Sequence, residues 1–162
     1  MSNIRNVDRR MVLFGLAGVS AALIGGPSWA QGALPNVAVT KDPSCGCCGN
    51  WVTHLKEAGF PVEVTESSDV NRLKVRLGVP KALASCHTAE VDGYVIEGHV
   101  PAPAIKRLLA ERPAGKGLAV PGMPVGSPGM EVEGMEPEAY EVILFGPSGQ
   151  RRFARFRGRV EA

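Results

Sequence analysis

Three of the chain's four cysteines, Cys45, Cys47 and Cys48, fall within four positions of the stretch "DPSCGCCGNW". Cys45 and Cys48 form a C-x-x-C pair, which on the first turn of a helix can close a disulfide. Free backbone N–H groups and the helix dipole at that place also stabilise a thiolate. The same thiolate is the nucleophile for disulfide exchange and a ligand for a soft metal. Cys47 adds a third sulfur that can attack the disulfide or bind whatever the pair binds. A C-x-C-C run therefore suits capture of a thiophilic metal better than simple dithiol exchange.

Further candidate donors lie downstream. Cys86 and His87 are adjacent in "SCHT", and His99 follows in "EGHVP". Adjacent side chains of a regular strand point to opposite faces, so Cys86 and His87 can share a site only where the backbone is irregular. His54, roughly two helical turns beyond the thiols, is expected on the solvent side. Residues 31–162 contain three methionines, Met123, Met130 and Met135, each preceded by glycine. Core methionines normally sit on periodic apolar faces. Thioethers on an aperiodic loop instead suit a soft ion, and thiolate with thioether favours Cu(I) over Zn. Two competing readings remain on the residues alone. One is a thiol–disulfide oxidoreductase with Cys45 and Cys48 as catalytic pair. The other is a structural module with two disulfides, one joining the cysteine loop to Cys86.

The elements that must hold these residues follow from pattern. Residues 36–41 alternate as a strand, and residues 50–60 show helical spacing through Trp51, Val52, Leu55 and Ala58, ending at Gly59. Residues 61–66 read as the next strand. Residues 67–78 read as a second helix, capped by Ser68 or Asp69, with Val70, Leu73, Val75 and Leu77 apolar and Gly78 as its stop. This is a βαβ unit with thiols at the first helix's N-terminus. In such a thioredoxin-like arrangement the loop entering the third strand faces that N-terminus, which would make Cys86 a fourth thiol. Residues 85–100 read as a hairpin turning at Asp92-Gly93. Residues 101–113 form a third helix with Ile105, Leu108 and Leu109 on one face. Residues 114–137 are rich in Gly and Pro and carry no helical or strand period, so a long loop, functional or disordered, is expected. Two strands around residues 146–149 close the chain. The expected fold is α/β: a thioredoxin-like βαβ unit, a hairpin, the Gly/Pro/Met loop and C-terminal strands.

Residues 1–30 have a basic start, a 16-residue apolar run over residues 11–26, and small residues at Ser28 and Ala30. That order predicts a cleavable export signal cut after Ala30, and Arg9-Arg10 gives it a twin-arginine character. The apolar run is short of the ~20 residues a membrane span wants, so no stable insertion is expected after cleavage. The full chain has 18 Lys+Arg and 16 Asp+Glu; without Arg5, Arg9, Arg10 and Asp8 the remainder balances at 15 each. No basic tract points to nucleic acid. Residues 31–162 suit a single domain.

Taken in order, "DPSCGCCGNW", "SCHT", "YVIEGHVP" and "GLAVPGMPVGSPGM" resemble the CopG-type periplasmic copper-resistance proteins over roughly residues 37–156. The resemblance implies a thioredoxin-like fold, a role in copper homeostasis, and a cysteine motif engaged in copper binding and copper redox chemistry. It carries thiol ligands to Cys45, Cys47, Cys48 and Cys86, imidazoles to His87 and His99, and thioethers to Met123 and Met130. Met135 lies outside the matched segment. The implied partners are copper ions and other periplasmic copper-handling proteins. Four close thiols could hold more than one Cu(I), and a cysteine pair closing a disulfide could reduce Cu(II).

Overall fold

The structure, a computed structural model, describes residues 32–162; the expected export signal and its cleavage point lie outside the described residues. Strand β1 (Val37–Lys41) sends Val37 and Val39 into the core. Helix α1 (Gly46–Glu57) follows with Trp51, Val52 and Leu55 buried, and Gly59 takes the left-handed conformation (φ 93°) that turns the chain out of it. The helix starts four residues before the expected Asn50, with Cys45 as its N-cap. Gly46, Cys47 and Gly49 have no apolar period, which hid this turn from pattern reading. Asp42 prepares the entry, its Oδ1 accepting the Ser44 N–H at 2.8 Å while its carbonyl accepts Cys45 N–H at 3.0 Å.

Strand β2 (Val62–Glu66) lies parallel to β1. Helix α2 (Val70–Arg76) has Asp69 at its N-cap, and Gly78 beyond its end has φ 72°. One expectation fails here. Val75 is 79% exposed, and Lys74 is buried in its place. Val70 and Lys74, one helical turn apart, share the inward face, and a carboxylate described below compensates the lysine.

Strands β3 (His87–Val91) and β4 (Tyr94–Glu97) form the expected hairpin. Asp92 (φ 46°) and Gly93 (φ 85°) both have positive φ, as a two-residue type I′ turn requires. Helix α3 (Ala102–Glu111) buries Ile105 and Leu108 and carries the chain to β5 (Gly117–Ala119), parallel to β4. Strand β5 falls within the stretch expected to lack a strand. It is three residues long and wholly buried, so it has neither alternation nor length to betray it. Its backbone lies so close to β4 that a Cβ on Gly117 would collide with the Val95 carbonyl oxygen. Strands β6 (Ala139–Gly146), β7 (Gly149–Arg157) and β8 (Val160–Glu161) complete one sheet in the order β2-β1-β3-β4-β5-β6-β7-β8.

Trp51 and Leu55 of α1 and Ile105 and Leu108 of α3 pack with Leu118 and Phe156 in the main core cluster. At ~1.5–3 kcal/mol for each large apolar side chain fully buried, this cluster fixes α1 against the sheet. A smaller cluster joins Val79, Leu83, Val95, Ala119 and Phe145. The mixed α/β class expected from the sequence is thus present, with three α-helices among the described residues and a larger sheet than foreseen. Among the described residues, no helix is long and apolar enough to cross a membrane.

Candidate metal and thiol centre

The N-terminus of α1 and the segment entering β3 bring four sulfurs together. Cys45, Cys47, Cys48 and Cys86 place their Sγ atoms within 4.8 Å of one another. Cys45 and Cys48 are joined as a disulfide, and Cys47 and Cys86 are free thiols. Cys47 Sγ lies 3.5 Å from Cys45 Sγ. Cys48 is fully buried, whereas the other three are partly exposed. The inert arrangement weighed from sequence, a disulfide between the loop and Cys86, is not the one present.

Cys86 belongs also to a second group, with His87 and His99, whose donor atoms likewise lie within 4.8 Å. Cys86 precedes β3, outside the regular ladder, which is the irregularity that sharing a site with His87 demands. Its Sγ is 3.3 Å from His87 Nδ1 and 3.0 Å from His99 Nε2. The hairpin explains the second distance. Thr88 pairs with Glu97 at the end of the ladder, and beyond it Gly98 N–H donates to the His87 carbonyl at 3.1 Å, which keeps the flanking Cys86 and His99 close.

Hydrogen bonding assigns the imidazole protons. His99 Nδ1 donates to the Pro128 carbonyl at 2.8 Å, since that oxygen can only accept. A neutral His99 therefore turns a lone pair on Nε2 toward Cys86, the arrangement by which a backbone carbonyl orients a ligand imidazole. His87 is completely buried, tilts against Trp51 with ring centroids 4.3 Å apart, and meets His99 edge-on at 5.0 Å. Its Nε2 has no hydrogen-bond partner among the described residues. A buried ring nitrogen without a partner is costly, and the ring atom turned to Cys86 is Nδ1.

Burial sets the protonation states. It pushes the Cys86 thiol up to about 11, with neighbouring Cys47 adding to the effect. It also holds His87 well below the ordinary imidazole range, helped by His99 and Lys74, and lowers His99 as well. The metal-free site is thus a neutral thiol between two neutral imidazoles. A bound cation would reverse that balance, since coordination deprotonates a thiol.

A buried ion pair supports the Cys86 segment. Lys74 Nζ donates to Glu97 Oε1 at 2.7 Å and to Thr88 Oγ1 at 2.8 Å. Glu97 Oε1 also accepts the Ser85 N–H at 2.6 Å, and Oε2 accepts Thr88 Oγ1 at 2.7 Å. Sequence reading missed this network, whose lysine sits where an apolar helix face was expected.

The Gly/Pro/Met loop is pinned on both sides of the sulfurs. Ser85 Oγ donates to the Gly122 carbonyl at 2.6 Å, which sets Met123 one residue from a contact beside Cys86. Gly129 (φ 88°) touches α1 so closely that a Cβ there would lie 2.8 Å from the Cys47 carbonyl oxygen and 2.7 Å from Trp51 N. Met130 is the next residue. Glu131 secures this end, accepting Gly129 N–H and Arg159 Nε at 2.7 Å each. Met123 is 52% exposed, Met130 is half-buried, and Met135 is exposed in a separate turn.

His54 corrects the solvent-side expectation. It is buried, its Nε2 accepts the Ala102 N–H at 3.0 Å, and it thereby caps the start of α3. Burial first, then the Arg159 charge, lower its pKa to about 4.

A solved structure titled "Copper resistance protein copG- Form 1" superposes with a TM-score of 0.71 at 44% identity, covering 77% of this chain and 99% of its own. Its "Form 2" gives 0.70 and 43%, covering 76% and 98%. This chain belongs to the CopG copper-resistance protein family. A family described as "Protein of unknown function, DUF411" matches residues 83–130, the span from the Cys86 segment to Met130. No curated protein sequence matches the chain significantly. Membership in the CopG family together with the cysteine cluster supports a copper-binding role.

Proposed function

We propose that this chain is a periplasmic copper-binding protein of copper homeostasis and resistance that holds Cu(I) through Cys45, Cys47, Cys48 and Cys86. The single observation that carries this reading is the convergence of four cysteine sulfurs within 4.8 Å. Thiolates favour Cu(I), and they bridge ions, so the cluster has donors for more than one. His87 and His99 would complete the donor set. Met123 and Met130 would supply thioethers from the loop pinned beside it. The disulfide must be reduced before all four sulfurs can act as thiolates. Export of a single domain starting at Gln31, indicated by residues 1–30, fits a compartment where such a disulfide can form. Other periplasmic copper-handling proteins are the expected donors or acceptors of the ion.

The domain reads as thioredoxin-like. Support comes from the strand order β2-β1-β3-β4, with β1 and β2 parallel and β3 antiparallel, and from a C-x-x-C pair starting α1. Closing Cys45–Cys48 releases two electrons and two protons, enough to convert two Cu(II) to two Cu(I). This is the proposed coupling of thiol oxidation to copper redox change. The test is anaerobic Cu(I) titration of the reduced, metal-free protein against a competing chelator. Tight binding lost on Cys45→Ser/Cys48→Ser and weakened in Met123→Ala and Met130→Ala is expected. No competitive binding would overturn the reading.

A second reading, thiol–disulfide oxidoreductase, is favoured by the Cys45–Cys48 disulfide at a helix N-terminus. Insulin reduction by metal-free protein without competitive copper binding would select it.

A further inference from the structure

The Cys45–Cys48 disulfide is not alone at the end of α1, and its two sulfurs are not equivalent. Cys45 is the N-cap, beside the first-turn N–H groups that have no intrahelical partner, and is partly exposed. Cys48 is fully buried. Cys86 lies in the same four-sulfur cluster, with His99 Nε2 3.0 Å from its thiol. The Pro128 carbonyl, 2.8 Å from Nδ1, keeps the Nε2 lone pair turned to that sulfur. The Cys86 sulfur thus lies within 4.8 Å of both disulfide sulfurs, with a neutral imidazole in contact to receive its proton as the S–S bond is attacked.

We propose that Cys86 attacks Cys48, so that the oxidised chain exchanges its Cys45–Cys48 bond internally for a Cys48–Cys86 disulfide. The Cys86 thiol gives its proton to His99 Nε2 as its sulfur bonds to Cys48 Sγ. The Cys45–Cys48 bond breaks, and its electron pair leaves on Cys45. That thiolate is stabilised by the helix N-terminus and then takes up the proton. A stabilised leaving thiolate departs faster, which selects Cys45 as the leaving sulfur. The competing attack, by Cys47 on Cys45 at 3.5 Å, would instead expel Cys48 as a buried thiolate, which is disfavoured. One disulfide is present before and after, so no oxidant or reductant is consumed.

The product has a distinct use. Cys45 and Cys47 become a free dithiol at the partly exposed start of α1 while the chain remains oxidised. Such a pair can take a soft cation or open the disulfide of an incoming protein. The inference deepens the reading of this cluster as a redox-active thiol centre, and it does not require copper to bind.

The experiment follows disulfide connectivity in oxidised, metal-free protein, quenched in acid over time, alkylated, proteolysed and sequenced by mass spectrometry. Wild type should contain both Cys45–Cys48 and Cys48–Cys86 linkages. Cys45→Ser, oxidised, should contain Cys48–Cys86. His99→Gln should reach the same mixture roughly 10²-fold more slowly, the usual scale of a lost general base. Its circular dichroism should match wild type, and His99→Asp, which restores an acceptor, should recover part of the rate. Cys86 fully alkylated in folded wild type at every time, or a Cys47–Cys86 bond in Cys45→Ser, would overturn the proposal. Exchange persisting in protein that fails to bind Cu(I) would sink the copper reading alone. Copper binding without exchange would sink this inference alone.

Discussion

Lys74 Nζ and Glu97 Oε1 lie 2.7 Å apart with both side chains shut away from solvent, and the same carboxylate oxygen holds the Ser85 N–H beside Cys86. The pair links α2 to the end of β4 and fixes the segment that delivers the fourth sulfur. Removing one partner of such a pair strands a buried charge at a cost of roughly 3–5 kcal/mol. Lys74→Met should lower the unfolding free energy by that amount in urea titrations. Adding Glu97→Gln, which keeps an acceptor for Ser85, should restore much of the loss. Equal stability of Lys74→Met and wild type would show that the pair contributes nothing.

Gly129 is required twice over, by its positive φ and by its contact with α1. Alanine there carries about 1–2 kcal/mol of left-handed strain, and its Cβ would push the loop from Cys47 and Trp51. The displacement would also draw the Pro128 carbonyl from His99. Gly129→Ala should therefore lose stability and bind Cu(I) at least tenfold more weakly, as read by chelator competition. Gly134→Ala has the same sign of φ but no close neighbour, and should leave copper affinity unchanged.

His54 should make the metal-free protein acid-sensitive. Its folded pKa of about 4 lies below the ordinary 6.5, so between these values the unfolded chain binds a proton that the folded chain does not. Stability is thus complete above pH 6.5 and is lost as pH falls toward 4. The lowered values of His87 and His99 act in the same direction. In His54→Gln, unfolding free energies measured from pH 7.5 to 4.5 should vary less with pH. A slope equal to wild type would exclude His54 as a contributor.

Trp51 reports on the centre directly. A chain beginning at Gln31 carries no other tryptophan, and this one packs at a tilt against His87 while its Nε1 donates to the Val100 carbonyl at 2.9 Å. Copper taken up by His87 or the neighbouring sulfurs should quench Trp51 emission in step with binding. His87→Leu should reduce the quench while retaining the fold. Emission unchanged through a saturating titration would place the ion away from this wall of the site.

Much of the site could be read from the chain because its signals are local. Cysteine spacing marked the thiols, and Asp92-Gly93 marked the turn of the hairpin whose far ends carry Cys86 and His99. Three further features depend on distant partners and left no local trace. Lys74 reads as a solvated helix residue until Glu97 is placed beneath it. His54 reads as surface until α3 offers the Ala102 N–H. Strand β5 is too short for a period and is defined by β4 and β6 on either side. The Pro128 contact is of the same kind, since a Gly/Pro loop does not announce which of its carbonyls will meet an imidazole.

The hairpin makes the chemistry of the centre answerable to residues that never touch it. Strand β3 is five residues long, so its turn lies about 17 Å from Cys86 at the usual rise. An insertion or deletion of one residue at Asp92-Gly93 would shift the pairing by one and send alternate side chains to the opposite face. Every sulfur and imidazole would remain in the sequence, yet Cys86 would no longer face His99. Sequence drift in this turn can therefore silence a centre whose candidate ligands are all intact, and a motif search would still count it as whole.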